Sequence, residues 1–260
     1  MEPVLAALLG ADNTQRNAAE QYYNECVARD VNATTMELFR ILCTSASGGS
    51  RQLAAVLLRN LVKKASTYTM LSAEIIAGAK HALLQQISAE TIKSVRMKIT
   101  HVVAVLASQT CGSDASRAAP ASAWPDLMPF VLSLVAHADE AKRLCAFELF
   151  GELSDYAGAL LLSDAPTVSA ALAAGLVDAT LAVRVAALRS TCDFLVAQCM
   201  QSGDGAGDVN PSSCPTAAML AVVGAALGVG EEQLACEALQ ALVTLAELGA
   251  RLLADGIGEV

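Results

Sequence analysis

The sequence predicts an all-α protein in which a pair of helices recurs to form a solenoid. Three observations predict it. Of the 260 residues, 54% are hydrophobic but only 4% are aromatic, and alanine and leucine, which dominate the composition, both favour helix over strand. Apolar residues recur at helical spacing through most of the chain. A short helical pattern also recurs six times, five of them with an arginine at the same place.

The recurring pattern is clearest in two segments, ETIKSVRMKITHVVAVLA from Glu90 and DATLAVRVAALRSTCDFL from Asp178. In both, an acidic residue leads and Val-Arg follows at the sixth and seventh places, so the arginines are Arg96 and Arg184. Weaker copies align Arg16, Arg51, Arg143 and Cys236 with these two arginines, and we call the six aligned residues anchors. The anchors are 35, 45, 47, 41 and 52 residues apart. Such irregular periods favour a two-helix repeat with a variable connector.

Residues three, seven and ten places after an anchor share one face of a helix, and this face is predicted to be buried. The residues at the third place are Ala19, Ala54, Ile99, Ala146, Ala187 and Leu239, and those at the tenth are Cys26, Leu61, Leu106, Leu153, Phe194 and Ala246.

A second helix is predicted after each anchor helix but the last, at 32–46, 71–87, 124–136, 165–176 and 216–227. Stretches rich in glycine, proline and small polar residues predict flexible loops at 108–122 and 201–215. The predicted fold is therefore a single α-solenoid of HEAT repeats over residues 1–260, with five helical hairpins and the first helix of a sixth. Because ADGIGEV follows the last anchor helix without a second helix, we expect the chain to be the N-terminal portion of a longer protein.

The anchor arginines are predicted to hold neighbouring repeats in register. A charge within so apolar a helix needs a partner, because an unpaired buried charge is costly. In HEAT-type repeats an acidic residue near a turn and an arginine in the adjoining helix can bridge two repeats. The predicted stacking residues are Arg51, Arg96, Arg143, Arg184 and Asp178.

No catalytic, metal or cofactor site is predicted. The histidines, His81, His101 and His137, fall in three different helical segments and form no metal-binding motif. The eight cysteines include no C-x-x-C pair, and most are predicted to be small core residues with free thiols. GDGAGD at 203–208 lacks the lysine and the flanking strand of a phosphate-binding loop.

Composition also restricts the location and the partners. The longest uncharged run, 209–230, contains two prolines, and its purely apolar part is too short to cross a bilayer. Glu2 stands where a signal peptide carries positive charge, which favours the cytosol or nucleus. Residues 1–105 carry 11 basic and 8 acidic side chains, whereas residues 106–260 carry 6 and 18. This acidic half disfavours direct nucleic-acid binding and is compatible with a basic protein partner.

Several segments resemble one protein family, in order and at the family's spacing. They are ADNTQRNAAEQYY (11–23), SRQLAAVLLRNLVKK (50–64), SVRMKITHVVAVLA (94–107), AWPDLMPFVLSLV (123–135) and EEQLACEALQALVTLAE (231–247). Through them the chain resembles the importin-beta (karyopherin) superfamily of nuclear transport receptors, and within it the importin four and importin five branch.

The resemblance implies an adaptor that shuttles between cytoplasm and nucleus, binds FG nucleoporins and basic protein cargo, and releases the cargo on binding Ran-GTP. It implies no enzymatic activity. The inner helices of the first repeats contact Ran in this family, and the resemblance assigns 32–46, 71–87 and 124–136 to that role. The candidate Ran-contacting residues are Glu37, Arg40, Lys80, Gln85 and Asp126.

Two alternatives stay open at this point. A HEAT-repeat scaffold or regulatory subunit of a phosphatase or kinase complex would share the periodicity and the arginines without recognising Ran. An enzyme with a reactive cysteine would show selective labelling of one thiol.

Overall fold

The computed structural model describes residues 1–110, 124–201 and 215–248, which form thirteen α-helices and, within those ranges, no β-strand. The all-α solenoid class is thus confirmed. The predicted loops at 108–122 and 201–215 lie almost wholly outside the described residues, although a helix continues through Thr110. No helix in the described ranges is long and apolar enough to span a membrane.

The chain divides into two compact units, Met1–Thr110 and Cys111–Val260. The first contains α1 (Glu2–Leu9), α2 (Asn13–Arg29), α3 (Val31–Thr44), α4 (Gly48–Lys63), α5 (Ala65–Tyr68), α6 (Ala73–Ala89) and α7 (Lys93–Thr110). The second contains α8 (Leu127–Val135), α9 (Glu140–Leu162), α10 (Ala165–Leu176), α11 (Leu181–Gln201), α12 (Thr216–Val229) and α13 (Glu232–Leu248).

Five of the thirteen described helices begin with a side-chain cap that the sequence supplies locally. The carboxylates of Asp12, Asp30 and Asp139 and the hydroxyls of Ser47 and Ser72 accept hydrogen bonds from backbone N–H groups of the first turn. These bonds satisfy donors that have no partner within the helix, so the cap residues fix where the helices begin. Gly230 ends α12 in the left-handed region, with φ of 76°, which a residue with a side chain rarely adopts.

The helices pair differently from the sequence-based expectation. Each anchor helix packs against the helix before it: α2 on α1, α4 on α3, α7 on α6, α9 on α8, α11 on α10 and α13 on α12. The anchor helix is therefore the second member of a hairpin rather than the first. The difference arises because α1, which the sequence did not predict, begins the series.

Within each unit, the anchor helices other than α2 also form a closely packed layer, which we call the anchor layer. In the first unit α4 packs extensively on α7. In the second unit α9 packs on α11, and α11 packs on α13. The first helices of neighbouring hairpins make far fewer contacts with one another. The expectation that 32–46, 71–87 and 124–136 form the inner helices remains a prediction.

The predicted buried face is buried in five repeats and exposed in the sixth. Residues at the third and tenth places after the first five anchors are all at most 8% exposed. Leu239, by contrast, is 43% exposed and Ala246 is also exposed. This expectation was wrong for α13, because the face that a following hairpin covers elsewhere has no such neighbour among the described residues.

Candidate functional site

The first candidate feature is a carboxylate held by an anchor arginine of the preceding repeat. In the first unit, Arg51 on α4 binds Glu90, which precedes α7, through two parallel bonds: Nε to Oε2 at 2.9 Å and Nη2 to Oε1 at 3.1 Å. The side chains are 14% and 3% exposed. Glu90 also accepts the backbone N–H of Ile92. A bidentate pair with this degree of burial has fixed geometry as well as favourable charge, so it defines how α7 sits on α4.

The same arrangement recurs in the second unit. Arg143 on α9 donates from Nε to Oδ2 of Asp178 at 2.7 Å and from Nη2 to Oδ1 at 3.1 Å, and the side chains are 15% and 13% exposed. Asp178 precedes α11 and accepts the backbone N–H of Thr180. The two pairs are chemically equivalent, and we call them the clamps.

A second bond from the anchor arginine was not predicted. Nη1 of each of four anchors donates to the carbonyl oxygen of the residue six places earlier: Arg16 to Gly10 at 3.4 Å, Arg51 to Ser45 at 2.7 Å, Arg96 to Glu90 at 3.2 Å and Arg143 to His137 at 3.0 Å. The arginine thus ties down the turn that leads into its own helix. Because the acceptor is a backbone carbonyl, and the residue six places earlier differs from repeat to repeat, no residue type in the sequence marked this bond.

Both clamp carboxylates stay ionised. Burial opposes their ionisation, but the paired guanidinium and a backbone N–H outweigh it and hold the pKa values of Glu90 and Asp178 below the ordinary ones. The clamps are therefore fully charged at neutral pH.

Arg96 and Arg184 form no such clamp among the described residues. Arg96 is 7% exposed, and its Nε has no hydrogen-bond partner there; the same is true of Nε of Arg184. The residues six places before the next anchors are His137 and Gly230 rather than acids. The clamp thus requires an acid in one repeat and an arginine in the preceding repeat. Asp178 accordingly pairs with Arg143 and not with Arg184, the arginine of its own repeat.

In the first unit, a pair of uncharged hydrogen bonds also joins α3 to the start of α6. Nδ2 of Asn32, in the first turn of α3, donates to the carbonyl of Met70 at 3.1 Å, and its Oδ1 accepts the N–H of Ser72 at 2.9 Å. Ser72 in turn caps α6. The α3–α4 and α6–α7 hairpins are therefore joined on both layers, and sequence patterns gave no sign of the Asn32 contact.

The exposed side of the anchor layer differs in charge between the units. Residues 2, 5, 9 and 12 places after an anchor lie on the side of the helix away from the predicted buried face, although some of them, such as Val105 and Cys145, are buried as well. The charged or ionisable residues at these places are Glu25 on α2, Lys63 on α4, Lys98 and His101 on α7 and, in the second unit, Glu148, Glu152, Asp155, Arg189 and Asp193. On α4 and α7 the first unit thus presents a basic surface, and the second unit presents an acidic one.

Crowding among these acids changes their ionisation. Burial and the neighbouring carboxylates of Asp155 and Glu152 raise the pKa of Asp193 to about 6, although Arg189 opposes the change. Burial and Glu152 also raise the pKa of Asp155. The acidic surface therefore carries negative charge that its own side chains do not fully compensate.

The five candidate Ran-contacting residues lie outside the anchor layer. Glu37 and Arg40 are on α3 and form an ion pair at 2.7 Å. Lys80 and Gln85 are on α6, where Gln85 is hydrogen-bonded to His81, and Asp126 is exposed just before α8. Of these residues, the structure brings Glu37 together with Arg40. The predicted contact with Ran remains a prediction.

Within the described ranges, no group of three or more His, Cys, Asp or Glu side chains could hold a metal ion. None of the cysteines described there is joined in a disulfide bond; they are Cys26, Cys43, Cys145, Cys192, Cys199 and Cys236.

Comparison with known proteins gives a consistent family. Residues 91–260 match the family model described as IPO5-like, TPR repeats. The fold is similar to that of Kap121p, with a TM-score of 0.76 at 19% identity over 99% of this chain and 23% of that one. It is also similar to Kap121p bound to RanGTP, with a TM-score of 0.76 at 19% identity over 98% of this chain and 22% of that one. For importin beta the TM-score is 0.79 at 17% identity over 100% of this chain and 30% of that one. The chain thus spans less than a third of the length of these solved proteins.

Proposed function

This chain belongs to the IPO5-like family, within the importin-beta superfamily of transport receptors that are not enzymes, and we propose that it binds Ran-GTP in nuclear protein import. Kap121p has been solved bound to RanGTP and bound to Nup53p, which supports the same classes of partner here: Ran-GTP, FG nucleoporins and basic protein cargo. The protein then moves between cytoplasm and nucleus through the pores.

The observation that carries this proposal is the division of charge along the anchor layer. On α4 and α7 the first unit offers Lys63, which is exposed, and Lys98 and His101, which are partly buried. The second unit offers Asp155, which is exposed, and Glu152 and Asp193, which are partly buried. Surfaces of opposite sign attract different partners and speed their encounter. We assign Ran-GTP to the basic surface and a Lys/Arg-rich cargo segment to the acidic one.

The clamps explain how the first surface keeps its shape. A solenoid's curvature is the sum of small rotations between neighbouring hairpins. The Arg51–Glu90 pair and the Asn32 contacts fix one such rotation on both layers, so Lys63 on α4 and Lys98 on α7 hold a constant arrangement. A preorganised surface loses less entropy when it binds a partner.

The test is a calorimetric titration of the full chain with Ran loaded with a non-hydrolysable GTP analogue and, separately, with GDP. We expect binding that is selective for the GTP form and weakens as salt concentration rises. Equal affinity for the two forms, or no binding to either, contradicts the proposal.

Two variant pairs then locate the contact. If Ran binds the anchor layer, Lys63→Glu with Lys98→Glu weakens binding at least tenfold, a loss of about 1.4 kcal/mol. If it binds the helices that the family resemblance suggested, Glu37→Ala with Arg40→Ala has the larger effect. Each double variant is the matched control for the other, because all four side chains are at least partly exposed.

The scaffold alternative shares the clamps and the charged surfaces. A regulatory subunit of a phosphatase or kinase complex has no reason to distinguish GTP from GDP on Ran, so the same titration separates the two functions. Family membership and the nucleoporin-bound and RanGTP-bound neighbours support transport.

A further inference from the structure

The connection between α4 and α6 carries a short basic segment with an exposed serine. Lys63 ends α4, Lys64 follows it, and Ser66 lies in the single turn of α5. Residues 63–66 are all exposed, whereas Thr67 is buried. We call residues 63–66 the basic segment. It lies on the surface of the first unit and is held to the fold by the residue that follows it.

The charge pattern before Ser66 occurs once in the sequence. Ser66 is the one serine or threonine with a lysine or arginine both two and three places before it. The other pair of adjacent lysine or arginine residues, Lys142 and Arg143, is followed at that distance by Cys145. Protein kinases choose their targets by the charges around the reacting hydroxyl, because those side chains fit complementary pockets. Two basic side chains at these places indicate a basic-directed serine/threonine kinase.

The hydroxyl of Ser66 is available for reaction. Among the described residues, Ser66 Oγ has no hydrogen-bond partner; its backbone carbonyl accepts a bond from Oγ1 of Thr69 at 3.2 Å. The hydroxyls of Ser47 and Ser72, by contrast, cap helices, and that of Ser133 donates to a backbone carbonyl. A modification of Ser66 Oγ therefore breaks no hydrogen bond of the fold.

The basic segment can straighten at small cost. The backbone N–H groups of Thr67 and Tyr68 both donate to the carbonyl of Lys64, at 2.9 Å, and that of Thr69 donates to Ala65 at 3.0 Å. A single helical turn is marginal by itself, because few bonds offset the cost of ordering it. Lys64 already has extended backbone, with φ of −80° and ψ of 108°. The segment can therefore enter an enzyme's cleft while α4 and α6 stay folded.

We propose that Ser66 is a phosphorylation site for a basic-directed serine/threonine kinase, and that the phosphate weakens binding of Ran-GTP; this second part rests on the proposed function. ATP supplies the phosphoryl group. The bond between its γ-phosphorus and the β–γ bridging oxygen breaks, and an ester bond forms between that phosphorus and Ser66 Oγ. The hydroxyl proton passes to a base of the kinase, and ADP leaves.

The added charge is large relative to that of the segment. A phosphoserine carries about −1.5 to −2 charges at pH 7, so it brings the +2 of Lys63 and Lys64 to about zero. Ser66 is three residues from Lys63, a separation of at most roughly 10 Å, and charges at this distance interact at low salt. Lys63 belongs to the basic surface that we assign to Ran-GTP, so the phosphate reduces the attraction between the two proteins.

Phosphorylation of the full 260-residue chain tests the site. The enzyme is the catalytic subunit of cyclic-AMP-dependent protein kinase, which is basic-directed, with ATP as the second substrate. We expect the intact mass to show incorporation of phosphate and tandem mass spectrometry to locate it on Ser66. No incorporation, or incorporation elsewhere with Ser66 unmodified, overturns the proposal.

Two variants test the roles of the hydroxyl and of the lysines. Ser66→Ala should abolish the incorporation, and Lys63→Gln with Lys64→Gln should slow it at least about tenfold without loss of helical circular dichroism. Ser94→Ala is the matched control, because Ser94 is exposed in the same unit but has a single lysine, Lys93, directly before it. It should react like the wild type. An unchanged rate in the lysine variant overturns recognition through the basic segment.

Calorimetric titration with Ran loaded with a non-hydrolysable GTP analogue tests the consequence. The phosphorylated chain should bind at least about threefold more weakly than the unmodified chain at about 50 mM salt, with a smaller difference at about 500 mM. Phosphatase treatment should restore the affinity. Equal affinities overturn the regulatory role and leave the proposed function intact. Failure of the unmodified chain to bind overturns the proposed function and the regulatory role together, and the mass spectrum then decides the modification site by itself.

Discussion

Replacement of Asp193 by asparagine is expected to stabilise the second unit at neutral pH. Burial, Asp155 and Glu152 raise the pKa of Asp193 from 3.8 to about 6 in the folded protein. Each pKa unit corresponds to about 1.4 kcal/mol. The ionised carboxylate therefore costs the folded state up to about 3 kcal/mol at pH 7.5, and Asp193→Asn removes that cost.

The pH dependence follows from the direction of the shift. Because its pKa is higher in the folded protein, Asp193 binds more protons there than in the unfolded chain between about pH 4 and pH 6. The contribution of Asp193 to the stability of the wild type therefore becomes less favourable through this range as pH rises. Near pH 3.5 the carboxyl is protonated in both states, so the variant and the wild type should differ little.

Urea unfolding followed by tryptophan fluorescence measures the effect in the right part of the molecule. Trp124 is the single tryptophan, lies in the second unit and is 2% exposed. We expect the free energy of unfolding of Asp193→Asn to exceed that of the wild type by about 2 to 3 kcal/mol at pH 7.5, and by much less at pH 4. No gain at pH 7.5, or the same gain at both pH values, would refute the reasoning.

Asp178→Asn is the matched control, because the same substitution is expected there to change stability in the opposite direction. Its carboxylate has a lowered pKa because, despite burial, Arg143 and the Thr180 N–H stabilise the charge. Ionised Asp178 contributes stability that is present above the unfolded pKa and is lost as pH falls through the folded value. Asp178→Asn should therefore destabilise the unit at pH 7.5, with a difference from the wild type that shrinks in acid.

Three further predictions concern packing and the clamps. A Cβ on Gly175 would clash with the ring of Phe147, so Gly175→Ala should lower the free energy of unfolding by about 1 to 3 kcal/mol. Gly78→Ala, with nothing within 4 Å of the new atom, should raise it by about 0.5 to 1 kcal/mol. Equal melting temperatures for the two variants would contradict the packing. Arg143→Met should lower the free energy of unfolding because it leaves the Asp178 carboxylate without its guanidinium partner, and adding Asp178→Leu should recover most of that loss in a double-mutant cycle. Additive losses would show that the two side chains do not interact. For Arg184→Ala the sequence predicts a loss in the free energy of unfolding of about 1 to 3 kcal/mol. The loss should be smaller than for Arg143→Ala, because Nε of Arg184 has no hydrogen-bond partner among the described residues. A lower urea midpoint for Arg184→Ala than for Arg143→Ala would contradict this order.

Local properties of the chain determined the helical fold and its repeat. Helix formation depends on composition and on contacts between residues three or four apart, so the anchors and the buried face after the first five of them could be read directly. The caps at Asp12, Asp139 and Ser72 are local as well, because each bonds backbone within its own first turn. The family resemblance rested on the same segments and is confirmed at the level of the superfamily.

Tertiary structure decided which repeats the arginines join and which surfaces are free. Arg51 and Glu90 are 39 residues apart, and Arg143 and Asp178 are 35 apart; which acid meets which arginine depends on how hairpins stack, not on spacing within a helix. The same holds for the pairing of the helices, since an apolar stripe shows that a helix is covered but not by which neighbour. Leu239 has the sequence character of a core residue and is nevertheless 43% exposed, because burial requires a neighbouring hairpin, and no periodicity within one helix reveals whether that neighbour is there.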